Sequence, residues 1–140
     1  MQELKVASVP MSHHRQPVTA VGAPAAIGPY SHAVAAAGLL FCSGQIPLDP
    51  DSGELVGETP AEQAVRCLDN LKAVCAAAGA TLDDAVRLTV YMTDLSAFAE
   101  VNDAYAQYFQ ADPPARVAIG VAALPKGAQV EIDAVVALPG

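Results

Sequence analysis

Between Pro60 and Ala78 the apolar residues Ala64, Leu68, Leu71, Cys75 and Ala78 recur at steps of three and four, so one helical face is apolar. Thr59-Pro60-Ala61-Glu62 opens that helix as a capping box with proline at the first helical position, and Gly79 closes it. Over 85–93, "AVRLTVYMT", the period drops to two. Val86, Leu88, Val90 and Met92 alternate with Arg87, Thr89 and Tyr91, which predicts a strand with one buried face. Asp94 then caps a second helix running to about Phe109, with Phe98, Val101, Tyr105 and Tyr108 or Phe109 on its core stripe. The stretch 33–44, "AVAAAGLLFCSG", is apolar and broken by Gly38, as in two strands joined by a tight turn or one long bent strand. "IPLDPDSGELVGE" after it is dense in turn residues and forms a loop. Two further strands are expected at about 116–122 and 128–138. Residues 1 to about 26 show little periodicity, although 18–21 can add a short edge strand.

The resulting order, ββ–α–β–α–ββ, describes an α+β layer with two helices on one face of a mixed sheet of five or six strands. "AVAAAGLLF", "VAIGVAAL" and "VEIDAVVAL" offer apolar residues to both sides of that sheet. One layer of 140 residues cannot cover the second face, so a homo-oligomer is expected.

Composition sharpens the picture in a few places. The length suits one domain, expected over 18–140 behind a flexible extension over 1–17 in which Met11 is a possible start. Apolar residues make up 53% but aromatics only 5%, so small side chains pack the core. No apolar run is long enough to span a membrane and no secretory apolar segment opens the chain; a soluble, cytoplasmic protein is expected. The net charge of −8 and the lack of any Lys/Arg cluster argue against nucleic acid as a partner. Cys42, Cys67 and Cys75 have neither CxxC nor zinc spacing and read as reduced, buried residues. His13 and His14 read as solvated rather than metal-ligating, and no metal is expected.

Against this background Arg116, in "PPARVAIGV", is anomalous: a permanent charge entering an apolar strand needs an anion. That anion is either Glu131 or Asp133 of the last strand or the carboxylate of a ligand held by the guanidinium fork. A plain hairpin about Pro125-Lys126 would set Glu131 opposite Gly120, roughly 13 Å from Arg116, so a direct cross-strand pair then fails. Glu131 shares a polar strand edge with Gln129 and Asp133, which is either solvated or part of a site. Tyr30 follows a Gly-Pro turn and by itself suits packing. Ser43-Gly44-Gln45 stand just past an apolar strand, where backbone N–H groups can cradle an anion or simply turn the chain. Phosphate-loop, nucleophile-elbow, HExxH and dinucleotide signatures are all absent.

Together "GPYS", "SGQIP", the helix end "VNDAYAQYF", "PAR" and "VEIDAV", in that order between about Ala23 and Val136, resemble the RidA (YjgF) family of reactive intermediate deaminases. The resemblance implies a chorismate-mutase-like sheet with the last strand inserted inside it, and a homotrimer with a cleft between each pair of subunits. It implies hydrolysis of 2-imino and 2-enamino acids to 2-keto acids and ammonia, without metal or cofactor. By position, Arg116 matches the carboxylate-binding arginine and Glu131 the acidic residue near the reacting carbon, while Tyr30, Ser43, Gly44 and Asn102 match cleft positions. Ala118 stands where many relatives have cysteine, which leaves only its backbone N–H to contribute, and His32 stands where glutamine is usual. The rival readings are a non-catalytic trimer that binds small carboxylates or acts as a chaperone, an endoribonuclease, which the charge disfavours, and a chorismate mutase, for which cations are too few.

Overall fold

The computed structural model describes residues 14–140. Its first wide element is the capped helix: α1 spans Pro60–Ala77, Thr59 Oγ1 accepts from the Glu62 N–H at 3.1 Å, and the Glu62 carboxylate accepts from the Thr59 N–H at 3.2 Å. Both expected halves of the capping box are therefore made. Ala64, Leu68, Leu71 and Cys75 are buried on the inward face, with Cys67 and Val74 beside them. Two polar residues, Gln63 and Asn70, are buried on the same side. At the far end Gly79 takes a positive φ of 79°, the left-handed exit that favours glycine.

The strands are β1 (Gln16–Val18), β2 (Ala33–Ala36), β3 (Leu39–Gln45), β4 (Ala85–Met92), β5 (Ala115–Gly120) and β6 (Val130–Ala137). A tight turn at Ala37-Gly38, both at positive φ, joins β2 and β3, so of the two readings for 33–44 the hairpin is the one formed. The edge strand expected at 18–21 forms instead at Gln16–Val18, which places Gln16 and Pro17 of the expected extension in the sheet; residues 1–13, and His13 with them, lie outside the described residues. After β4, Asp94 caps a single 3₁₀ turn, and the second helix, α2, spans Phe98–Ala106, ending short of Phe109.

The sheet order is β1-β2-β3-β6-β4-β5, with β4 and β5 parallel and every other neighbour antiparallel. β6 thus inserts between β3 and β4 rather than pairing with β5 as a hairpin. Its Val130, Ile132, Ala134 and Val136 join Leu40, Cys42, Leu88, Val90 and Met92 in one core with α1 and with Val101 and Tyr105 of α2. The three cysteines are free and buried in that core.

The opposite face carries no helix. Phe41, Val117 and Ile119 on it are 46%, 42% and 40% exposed, so the uncovered apolar face expected from the strand patterns is present. Val86 departs from its expected inward position and is exposed, because the β4–β6 register shifts between Ala85 and Arg87 and takes Val86 out of the ladder. β5 is also exposed along most of its length as the outer strand, so the expectation of a buried setting for Arg116 fails in the single chain. No helix among the described residues is long and apolar enough to cross a membrane.

Since one hydroxyl closes the capping box, Thr59→Ala should lower unfolding free energy by about 1 kcal/mol in chemical denaturation. An unchanged midpoint would show that the cap contributes nothing to the folded state.

Candidate functional site

Two groups of the expected residues sit in different places. The first surrounds the end of β3. A bulge between Cys42 and Gln45 takes Ser43 and Gly44 out of the ladder with β6, and Glu131 of β6 folds its side chain against Gly44. A Cβ built at Gly44 would stand 2.9 Å from the Glu131 carboxyl carbon and closer still to Oε2, so any side chain at this position would push the carboxylate out of its place. Tyr30, Ser43, Gly44 and Glu131 line one open cleft of about 480 Å³, whose apolar walls include Ile27, Ile46, Leu48 and Pro125.

Those walls hang on α1. Asn70 donates to the Leu48 carbonyl at 3.1 Å and the Ile46 carbonyl at 3.4 Å. Gln63 donates to the Gly57 carbonyl at 3.0 Å and accepts from the Gln129 N–H at 2.8 Å, which fixes the entry to β6. Burial, and then the charge of nearby Asp133, push the Glu131 carboxyl above the usual carboxylate range. Asp133 itself accepts from Tyr91 Oη at 2.8 Å.

Ser43 differs from its expected role as an anion donor. Its N–H donates to the His32 carbonyl at 3.0 Å and its hydroxyl to the Ser31 carbonyl at 2.6 Å, so only oxygen lone pairs remain for a ligand.

The second group lies on β5 and α2. Arg116 Nη1 donates to Asn102 Oδ1 at 2.8 Å, and the guanidinium carbon lies 4.9 Å from the Tyr105 ring centroid and 5.2 Å from that of Phe98. The Tyr105 hydroxyl is buried with no hydrogen-bond partner among the described residues, so that residue acts through its ring face. No carboxylate pairs with Arg116 among the described residues, and Asn102 serves to aim it. The alternative of an internal salt bridge to Glu131 or Asp133 is therefore not realised. Ala118 lies on the same face of β5, level with Val90.

The register explains why the two groups stay apart. Arg116 is level with Leu88 and shares its helix-side face, whereas Glu131 is level with Tyr91 and Ile119 on the opposite face. The two are offset by about 10 Å along the strands and about 10 Å across two strand spacings, with the sheet between them. Lys126, which lines the Glu131 cleft and reaches the Gly53 carbonyl at 3.5 Å, was not singled out from sequence. Its signal was available: it is one of seven basic residues and stands in a Pro-Lys-Gly turn, at a φ of 58°.

The family model described as Endoribonuclease L-PSP matches residues 21–138. RutC family protein y4sK of Sinorhizobium fredii is 48% identical over 88% of this chain and 98% of its own. The Bos taurus protein named 2-iminobutanoate/2-iminopropanoate deaminase is 47% identical over 86% of this chain and 88% of its own. The solved structure of YyfA, a protein of the conserved Rid family from Yersinia pestis, aligns with a TM-score of 0.86 at 42% identity, covering 89% of this chain and 100% of that one. With nearly the whole described fold matched in sequence and in shape, the chain belongs to the RidA (YjgF) family.

Proposed function

We propose that this chain hydrolyses reactive 2-imino and 2-enamino acids, of the 2-aminoacrylate and 2-iminobutanoate type, to 2-keto acids and ammonia, and so protects pyridoxal-phosphate enzymes that release them. The observation that supports this most is Arg116: a permanent cation aimed by Asn102 and two rings, with no carboxylate partner among the described residues. Such a fork suits the carboxylate of a small acid. Because Glu131 faces away from it, the complete site needs Arg116 of one copy beside the Glu131 cleft of another. A homotrimer closed through the exposed face of Phe41, Val117 and Ile119 supplies that juxtaposition.

In this cleft the carboxylate docks on Arg116, helped by the backbone N–H groups of Gly44 and Ala118, and the iminium carbon faces Glu131. The iminium is already electrophilic, so a positioned water suffices and no covalent nucleophile, metal or cofactor is needed. Glu131 takes a proton as the water oxygen bonds to C2, giving a tetrahedral amino alcohol, and returns it to nitrogen. As the C–N bond then breaks, the regenerated Glu131 carboxylate takes the adduct's hydroxyl proton, the C=O bond forms, and that proton passes on to the departing ammonia. Tyr30 donates to the adduct. Ammonia and the 2-keto acid leave. The net charge of −8, with no basic cluster, argues against a polyanion such as RNA in the same cleft.

The direct test couples purified protein to a threonine dehydratase acting on threonine and traps the imine with semicarbazide. Wild type should clear it, and Arg116→Ala should lose about 10²-fold or more of kcat/KM. Equal clearance by both sinks the clamp, and 2-keto acid binding without turnover favours the non-catalytic carboxylate-binding or chaperone-like reading.

Glu131 works as the carboxylate, so turnover falls as pH drops through its pKa. Since that pKa is raised, the loss begins at higher pH than for an ordinary carboxyl. Asp133→Asn removes one of the two causes and should move the acid limb to lower pH, whereas Glu131→Gln should cost about 10²–10⁴-fold in kcat. An acid limb that stays put or moves upward in Asp133→Asn contradicts the assignment of Glu131 as base.

A further inference from the structure

His32 precedes β2 and is 5% exposed, yet the catalytic scheme gives it no task. Both ring nitrogens are engaged by main chain. The Ala20 N–H donates to Nδ1 at 2.8 Å, and Nε2 stands 2.8 Å from the Pro24 carbonyl. An amide N–H requires a lone pair and a carbonyl requires a proton, so the two partners fix a neutral ring protonated at Nε2.

These bonds close residues 20–32 into a strap. The strap supplies Pro24, Ala25, Ile27 and Tyr30 to the cleft that holds Glu131. Inside it, Ala23 N–H donates to the Ala20 carbonyl, Tyr30 N–H to the Gly28 carbonyl and Ile27 N–H to the Tyr30 hydroxyl at 3.3 Å. Among the described residues, the two bonds to the His32 ring are the only hydrogen bonds tying residues 20–30 to the rest of the fold. Apolar anchoring is limited to small side chains: Ala20, Ala23 and Pro24 are buried, but Val21 and Ile27 are 96% and 63% exposed. On the other side, the main chain of the same residue holds the opposite wall, since the His32 carbonyl accepts from Ser43 N–H.

We infer that His32 is the positioning residue of this cleft, its ring holding the strap so that Tyr30 stands at a fixed place relative to Glu131. The inference rests on the reading of the cleft as an imine-hydrolysing site, but the strap geometry can be measured without turnover. Glutamine offers one acceptor and one donor in a neutral side chain and can serve both partners. Leucine fills the volume and leaves the Ala20 N–H and Pro24 carbonyl without a bond, which frees the strap while the core stays apolar.

The experiment measures amide hydrogen exchange at Ala20, together with kcat and KM, in wild type, His32→Leu and His32→Gln. In wild type the Ala20 amide should be protected. In His32→Leu its exchange should quicken roughly 10- to 100-fold, with kcat down about 10²-fold and KM changed less, because Arg116 does not depend on the strap. His32→Gln should restore both exchange and kcat relative to His32→Leu. The inference is overturned if the wild-type Ala20 amide exchanges as a free amide, if a folded His32→Gln behaves like His32→Leu, or if His32→Leu frees Ala20 without loss of kcat. Should His32→Leu not fold, wild type and His32→Gln still decide through Ala20 exchange. A wild type inactive on imines, with Ala20 protected in His32→Gln and exposed in His32→Leu, removes the deaminase reading and leaves the hold on the strap standing.

Discussion

β6 is hydrogen-bonded to β3 on one side and β4 on the other, and its alternate side chains are divided strictly between the two faces of the sheet. Val130, Ile132, Ala134 and Val136 go to the helices; Glu131 and Asp133 go to the open face. β5, displaced to the outside, turns Arg116 toward α2. A single insertion therefore gives the core its central strand and separates the cation from the carboxylate. The sheet stands between the two side chains, so in the proposed reading one chain alone holds two half-sites. The proposed substrates fit that division. A 2-iminium acid carries a negative carboxylate beside a positively charged carbon, and the half-sites offer a guanidinium and a carboxylate held by separate scaffolds.

Each half is rigid for its own reasons. Arg116 rests on the Tyr105 and Phe98 rings and is aimed by Asn102, which costs the fold nothing in desolvated charge because the guanidinium stays exposed. Glu131 is held where a glycine makes room for it, and its neighbourhood of burial and Asp133 resists ionisation. Loops around it are tied down by Gln63 and Asn70, polar side chains on the inward face of α1 that satisfy carbonyls no strand can reach.

Much of this was legible from residues alone. The capping box and the inward stripe of α1 follow from local chemistry, whereas the β2–β3 turn was one of two readings that Gly38 left open. Motif order from Ala23 to Val136 identified the family and with it the inserted strand, which no periodicity can reveal because register between distant strands leaves no trace in spacing. The same limit explains the errors. Val86 fits the alternating pattern and is expelled by a bulge; β5 reads as buried because its residues are apolar, while its place at the sheet edge leaves it exposed. Gln63 and Asn70 look like solvent-facing positions until the loops that cover them are in place. Of the site, Arg116, Glu131, Tyr30, Ser43 and Gly44 were named in advance, but their separation onto two faces was not.

Whether the proposed cleft joins two chains is measured most directly by subunit mixing. Arg116→Ala and Glu131→Gln chains, each inactive alone, are unfolded together in equal amounts and refolded. If the site pairs Arg116 of one copy with Glu131 of another, about a quarter of the clefts in randomly mixed trimers regain both residues, and imine hydrolysis returns to that fraction of the wild-type rate. A mixture as inactive as its components would contradict the account.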